Sequence, residues 1–168
     1  YTPSSGIWQT VWLEPVADKG IDEIKTTPDL TTSSLAVNVK SAGTATVTAV
    51  AKDARGRQVG TVTGPANANL KLPVPNPHLW TPDDPYLYQL EIKLGADKVK
   101  SYFGMRSTGI TNVGGTPKLT LNGKPFFSLM QLDQGFYPDG LNTAPSDEAL
   151  VFDLKAQKDL GFNSVRKH

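Results

Sequence analysis

The sequence contains no cysteine and only two histidines. Without cysteine the chain can form neither disulfides nor thiolate metal sites, and this composition suits a cytoplasmic, a periplasmic or a secreted protein equally well. The two histidines, His78 and His168, lie far apart and lack the spacing of a metal-binding pair. We therefore predict that the chain uses no metal and no cofactor.

An excess of charge and a long apolar run are also missing. The 168 residues include 17 Lys and Arg against 16 Asp and Glu, for a net charge of +1, so bulk charge gives no reason to expect nucleic acid as a partner. No apolar segment approaches the roughly 20 residues of a membrane-spanning helix, and the mean hydropathy is −0.30. We predict no membrane partner. The sequence begins with Tyr1 and shows no leader, so any targeting segment was removed or lies outside this sequence, which leaves the localisation open.

Short β-rich runs separated by turn-forming segments fill the middle of the chain. Within them apolar residues alternate with polar or small ones, as Leu35, Val37 and Val39 do, so that each strand has one apolar face. The predicted strands are Ile21–Thr27, Leu35–Lys40, Thr46–Lys52, Gln58–Thr63, Leu70–Val74, Tyr86–Leu94 and Val99–Arg106. About seven strands at this spacing predict an immunoglobulin-like antiparallel β-sandwich, which we assign to residues 17–110.

The segments on either side of this region have different patterns. Large residues are dense from Trp8 to Leu13, which favours a strand buried on both faces, and we assign residues 1–16 to the tail of a preceding domain. Residues Ile110–Pro117 are polar and contain two glycines, which favours a linker. Asn122-Gly123 follows and predicts a small hairpin.

The last part of the chain predicts a strand, a helix and a parallel strand. The apolar run Phe126–Leu132 is the first strand; Ser146 caps the helix and Gly161 ends it, and a short strand leads to His168. Along the helix we expect a buried stripe consisting of Leu150, Val151 and Leu154. A βαβ unit of a parallel sheet needs further strands and helices around it. We therefore expect residues 111–168 to hold a linker, a hairpin and the start of a (β/α)₈ barrel, and the chain to be a fragment of a larger protein.

Several segments of the sequence, taken in order, resemble glycoside hydrolase family 2, which includes β-galactosidases, β-glucuronidases and β-mannosidases. The segments are Gly6-Ile7-Trp8, Leu79-Trp80-Thr81-Pro82 with Pro85-Tyr86-Leu87-Tyr88, Phe103-Gly104-Met105-Arg106, Leu121-Asn122-Gly123-Lys124-Pro125 and Leu160-Gly161-Phe162-Asn163-Ser164-Val165-Arg166. The resemblance implies a jelly-roll sugar-binding domain, an immunoglobulin-like sandwich and a catalytic barrel. The chain would hold the end of the first, all of the second and the start of the third.

The resemblance also implies an activity for the parent protein. Family members hydrolyse terminal β-glycosides with retention of configuration, using two glutamates whose carboxyl groups lie about 5 Å apart. In the family the acid/base glutamate follows an asparagine, and this sequence contains no Asn-Glu pair. We therefore expect a fragment of a retaining β-glycosidase that acts on O-glycosidic bonds but has no catalytic residue of its own and is inactive alone.

Barrel geometry indicates which residues could still face a carbohydrate substrate. Active sites form at the carboxyl ends of barrel strands, which here means Asp133 after the first strand and Arg166, Lys167 and His168 after the second. Asp133 could accept hydrogen bonds from sugar hydroxyls, and Arg166 could hold a neighbouring carboxylate. The alternatives are that Asp133 caps the turn before Gly135 and that Arg166 forms a structural ion pair.

Two other kinds of function remain open at this stage. A stand-alone carbohydrate-binding or protein-interaction module would need an exposed aromatic row, for which only Tyr86, Tyr88, Tyr102 and Phe103 are available. A scaffold would use the apolar surface of the half-barrel to pair with the remainder of the barrel or with another copy of the chain.

Overall fold

The computed structural model describes residue 3 and residues 5–168 and divides them into two units. One unit is Pro15–Phe126. The other combines the N-terminal segment up to Glu14 with Phe127–His168. The domain boundaries at residues 16 and 110 remain a prediction from the sequence.

The sandwich, which lies within the larger unit, contains seven strands in two antiparallel sheets. One sheet has the order β1-β2-β5 and the other has the order β4-β3-β6-β7. The strands are β1 (Glu23–Asp29), β2 (Ser34–Lys40), β3 (Thr46–Lys52), β4 (Gln58–Pro65), β5 (Asn69–Pro73), β6 (Tyr88–Leu94) and β7 (Asp97–Phe103). Each predicted run coincides with one of these strands to within a few residues, and the predicted β-sandwich is confirmed.

The core lies between the two sheets and follows the predicted alternation. Leu35, Val37 and Val39 of β2 are at most 1% exposed, and Leu90 and Ile92 of β6 are buried to the same extent. Complete burial of a large aliphatic side chain contributes about 1.5–3 kcal/mol relative to its exposed state. These two central strands therefore provide much of the stability of the sandwich.

Residues Ile110–Pro117, which we predicted to be a linker, have regular secondary structure. They belong to an antiparallel hairpin of β8 (Thr108–Val113) and β9 (Thr116–Leu121). Its turn, Gly114-Gly115, has φ angles of 57° and 84°, the positive values that a tight hairpin turn requires. Two adjacent glycines thus serve as a defined turn here, although the same pair in a polar segment is also typical of linkers.

The Asn-Gly hairpin is confirmed next to this turn. Strand β10 (Lys124–Pro125) pairs with the end of β9, and Asn122 and Gly123 have φ angles of 52° and 75°. The side chain of Asn122 accepts a hydrogen bond from the Ser107 amide at 3.0 Å and donates one to the Trp80 carbonyl oxygen, also at 3.0 Å. The turn is therefore tied to the end of the sandwich.

The second unit consists of β11 (Met130–Asp133), α1 (Asp147–Asp159) and β12 (Ser164–Lys167), and β11 and β12 pair in parallel. This confirms the predicted strand, helix and strand. The Ser146 hydroxyl accepts a hydrogen bond from the Ala149 amide, and Gly161 follows the helix with a φ of 93°, so both helix boundaries were predicted correctly.

Two expectations for this unit are wrong. Residues Trp8–Leu13 form no strand with any described residue, and Leu13 is fully exposed. On α1 the predicted stripe faces solvent, with Leu154 52% exposed, while the partly buried helix positions include Asp153 and Ala156. The apolar pattern identified a helix face that is not the one packed on the strands. In the described part of the chain, no helix is long and apolar enough to cross a bilayer.

Candidate functional site

The parallel pairing of β11 and β12 brings together the strand ends that carry the predicted site residues. The register aligns Leu132 with Arg166 and Asp133 with Lys167. At the opposite end the Asn163 side chain accepts a hydrogen bond from the Leu129 amide and donates one to the Phe127 carbonyl oxygen, each at 2.9 Å. Asn163 thus sets the register, a role that we did not predict, although it lies within the quoted segment Leu160–Arg166.

Asp133 and Lys167 form the best-defined contact at this edge. Lys167 Nζ lies 2.9 Å from Asp133 Oδ2, and the Gly135 amide donates to Asp133 Oδ1 at 2.7 Å. The His168 amide donates to the Asp133 carbonyl oxygen at 2.8 Å. The hydrogen bond from Lys167 is the main cause that lowers the pKa of the Asp133 carboxyl group, with help from the Gly135 amide. The carboxylate is therefore ionised at neutral pH.

Gly135 is the residue that allows this pair to form. Its φ of 64° is a backbone conformation that favours glycine. A Cβ at this position would collide with Lys167 Nζ. The glycine therefore both turns the chain after β11 and leaves space for the ammonium group beside Asp133.

The four predicted site residues do not share one face of the strand pair. Successive side chains of a strand point to opposite faces, so Arg166 lies on the face of Leu132 while Lys167 lies on the face of Asp133. His168 follows the end of β12 in the same alternation as Arg166. In the described part of the chain, no side chain forms an ion pair with Arg166.

A shallow cleft of about 490 Å³ lies between the end of β11 and α1. Asp133, Gly135, Asp153 and Gln157 are among the residues that line it. The Gln157 side-chain oxygen is buried without a hydrogen-bond partner among the described residues. The cleft therefore brings the Asp133 end of β11 next to the partly buried side of the helix.

The loop that contains Phe136 and Tyr137 is a packed turn at its centre. The amides and carbonyl oxygens of Tyr137 and Leu141 are joined by two hydrogen bonds, of 2.8 and 3.0 Å. Leu141 has a φ of 53°, and a Cβ on Gly140 would collide with the Thr143 carbonyl oxygen. These contacts fix the backbone of the segment between Tyr137 and Thr143.

His78, which we excluded as a metal ligand, is part of a polar and aromatic cluster in the sandwich. Its Nε2 lies 2.5 Å from Asp84 Oδ2, its ring stacks on Tyr86 with centroids 4.2 Å apart, and its amide donates to the Tyr88 hydroxyl at 2.8 Å. Among the described residues, no group of three or more His, Asp or Glu side chains is placed to hold a metal ion. The cluster closes the end of the sandwich.

An antiparallel β-sandwich followed by a parallel βαβ unit defines a protein in which a β domain precedes an α/β domain. The sequence profile of glycosyl hydrolases family 2 matches residues 9–106, which is more than half of the chain. The chain belongs to glycosyl hydrolase family 2, and the family resemblance identified from the sequence motifs is confirmed.

Curated relatives and solved structures agree with this assignment. The chain is 35% identical over 107 residues to a β-galactosidase from Oenococcus oeni, and 32% identical over 111 residues to one from Psychromonas ingrahamii. These matches cover 60% and 61% of this chain but only 10% of each relative. The chain therefore spans about a tenth of the length of these relatives.

The fold is shared with two β-glucuronidases. A structure from Ruminococcus gnavus superimposes with a TM-score of 0.76 at 19% identity, covering 89% of this chain and 26% of the glucuronidase chain. One from Dictyoglomus thermophilum gives a TM-score of 0.75 at 23% identity, covering 88% of this chain and 25% of the other. At these identities the likeness concerns the fold alone.

Proposed function

We propose that this chain is part of a retaining β-glycosidase, and that residues 17–110 are its supporting sandwich while residues 111–168 begin its catalytic barrel. The observation that carries the proposal is the in-register parallel pair of β11 and β12, because it gathers polar side chains at the strand ends where barrel enzymes bind substrate. Family membership supports hydrolysis of an O-glycosidic bond as the reaction.

The four residues at this edge take two different roles in the proposal. Arg166 and His168 contact the carbohydrate or a catalytic carboxylate, because they lie at the carboxyl end of β12, the end of a barrel strand at which substrate binds. Asp133 and Lys167 hold the two strand ends together through their ion pair and act as positioning residues. The guanidinium group of Arg166 suits contact with a carboxylate, because it can form two parallel hydrogen bonds to it.

Catalysis itself is assigned to residues outside this sequence. A retaining glycosidase needs two carboxyl groups about 5 Å apart, and the sequence contains no Asn-Glu pair of the kind that carries the family's acid/base residue. We propose that both catalytic glutamates lie in other parts of the native polypeptide. The carbohydrate is then the substrate of that polypeptide as a whole, and the remainder of the barrel is the partner of β11–α1–β12.

The test starts with the polypeptide from its native source. Its intact mass should exceed 18.1 kDa several-fold, and it should hydrolyse at least one of the aryl β-galactosides, β-glucuronides and β-mannosides. The first-formed sugar, observed by proton NMR, should have the β configuration. A mass near 18.1 kDa, inversion of configuration, or inactivity on the whole panel would each overturn the proposal.

Variants of the same polypeptide test the assignment of the edge residues. Arg166→Lys should lower kcat/KM by at least 10-fold, because an ammonium group cannot replace a bidentate guanidinium contact. The matched control is Arg55→Lys in an exposed turn of the sandwich, which should leave kcat/KM unchanged. Equal effects of the two substitutions would refute an active-site role for Arg166.

A further inference from the structure

A second cleft lies within the sandwich unit, between the edge strands of its two sheets. It has a volume of about 720 Å³ and is lined by residues of β1, β7 and the segment after β7. Small-molecule sites in proteins commonly measure roughly 300–1,000 Å³. The size of the cleft therefore suits a ligand no larger than a small sugar or a short chain of sugars.

Arg106 is held in this cleft by an aromatic ring. Its guanidinium carbon lies 4.5 Å from the ring centroid of Trp80. A Cβ added to Gly104 would come within 3.1 Å of the Trp80 side chain, so the indole is tightly packed against this glycine. The Trp80 amide donates to the Met105 carbonyl oxygen at 2.9 Å. The Arg106 side chain is thus already ordered against the Trp80 ring, so it loses little further conformational freedom when a ligand binds.

The hydrogen-bonding capacity of Arg106 is not used by the described residues. None of them accepts a hydrogen bond from its guanidinium group, and the only contact found for the group is with the Trp80 ring. Elsewhere in the sandwich the corresponding group of Arg57 is engaged, since its Nη2 and Nε lie 2.7 and 2.8 Å from Asp53 Oδ2. A planar cation with five N–H donors and no anion beside it is a ready site for a carboxylate.

The walls of the cleft provide the remaining contacts that a sugar requires. Hydroxyl groups come from Thr26, Ser107 and Thr108, and each can both donate and accept a hydrogen bond. Tyr102 lines the same cleft with 69% of its surface exposed, so that an aromatic ring is available for the apolar face of a sugar. A cation, several hydroxyls and one open aromatic ring are a set that matches a carboxylated, polyhydroxylated ligand.

We infer that this cleft binds an acidic sugar, a hexuronic acid or a sugar chain that contains one, with its carboxylate on Arg106. The site is separate from the barrel edge, since all of its lining residues lie within Pro15–Phe126, and it does not depend on catalysis. It also differs from the exposed aromatic row considered above. Tyr88 and Phe103 are only 5% exposed and Tyr86 is stacked on His78, so no such row exists among the described residues.

The 168-residue chain can be titrated directly with D-glucuronate while the Trp80 indole N–H resonance is followed by nitrogen–proton NMR. We expect a saturable shift with D-glucuronate. The affinity should be at least 10-fold lower for D-glucose, which lacks the carboxylate, and for acetate, which lacks the sugar. Arg106→Gln should weaken glucuronate binding by about 10- to 100-fold, the equivalent of a charge-assisted hydrogen bond. Arg55→Gln is the matched control and should bind as the parent does.

Several results would overturn the inference. They are the absence of a saturable shift with glucuronate, equal binding of glucose or acetate, and an equal loss of binding in the Arg55 variant. Tighter binding of N-acetylaspartate amide than of glucuronate would point to a protein carboxylate and would also overturn it. If Arg106→Gln fails to fold, Arg106→Lys replaces it, since it keeps the charge over Trp80 and should still weaken binding by removing the planar donors.

Discussion

Strand β2 and helix α1 both carry a clear apolar pattern, yet only the strand buries it. Leu35 of β2 is completely buried, whereas Leu154 of α1 is 52% exposed. The strand is the central one of its sheet, and the facing sheet supplies apolar neighbours on its inner face. The helix has no such layer over it among the described residues, and no residue of it is buried. Capping and periodicity are thus enough to form a helix or a strand, while its burial depends on the neighbours that it meets.

The largest expected effect comes from removing a leucine of the sandwich core. Leu72→Ala should lower the free energy of unfolding by about 2–5 kcal/mol, because Leu72 is completely buried and the substitution leaves a cavity. The measurement is urea unfolding followed by circular dichroism. Leu154→Ala is the matched control and should cost well under 1 kcal/mol. If the two substitutions cost the same, the contrast between the units is wrong.

A smaller effect is expected at Gly60, where β4 lies against the end of β5. A Cβ at Gly60 of β4 would collide with the Pro73 carbonyl oxygen at the end of β5. Gly60→Ala should therefore cost about 1–3 kcal/mol through overpacking, again measured by urea unfolding. Gly43→Ala is the control, because the added Cβ contacts only the flexible side chain of Lys19. An unchanged free energy of unfolding in Gly60→Ala would show that the sheets can move apart at this edge without loss of stability.

The turn after β3 gives the sandwich a dependence on pH. Hydrogen bonds from the Arg57 amide and side chain and from the Arg55 amide lower the pKa of Asp53 below its ordinary value of 3.8. A lowered pKa in the folded state means that ionised Asp53 stabilises the fold above pH 3.8, and that this contribution is lost as the pH falls through the folded-state pKa.

Asp53→Asn should accordingly lower Tm at pH 7, and the difference from the parent should shrink as the pH is lowered below 3.8. Thermal unfolding between pH 2 and 7 measures this. Asp83→Asn in an exposed turn makes the same change of charge and should leave Tm nearly unchanged. A Tm difference for Asp53→Asn that stays constant with pH would contradict the assigned role.

The smallest effect is expected at the cap of α1. Ser146→Ala removes the acceptor for the Ala149 amide and should destabilise the helix by about 1 kcal/mol. Faster amide exchange in α1, with unchanged exchange in β2 and β6, is the expected result. Ser101→Ala on β7 is the control. Faster exchange in the sandwich strands as well, or no change in α1, would argue against independent local stability of the second unit.

The elements that could be predicted are those specified by neighbouring residues. Alternating side chains located strands β1 to β7, and Asn122-Gly123 located a hairpin because both residues adopt positive φ. The predictions that were wrong needed information about distant partners. The Trp8–Leu13 segment is as apolar as a buried strand, but no described strand pairs with it. Gly114-Gly115 suits a linker or a turn, and the pairing of β8 with β9 decides between them.

The candidate site, too, could be predicted only in part. The strand ends that carry Asp133 and Arg166 could be located from the order of the elements, since a parallel βαβ unit places both carboxyl ends at one edge. The pairing of Asp133 with Lys167, and the separation of Lys167 from Arg166 onto opposite faces, depended on a register that Asn163 helps to set. A shift of one residue would reverse both faces.

By itself the sequence determined the seven strands of the sandwich, the helix, the Asn122-Gly123 turn and the family to which the chain belongs, because these properties depend on residues close together in the chain or on short motifs. Only the tertiary structure decided which apolar faces are buried, that Lys167 meets Asp133 and that Arg106 rests on Trp80 with its donors open. The reason is physical: burial and hydrogen bonding between distant segments depend on distances that chain topology sets and that a local pattern does not contain.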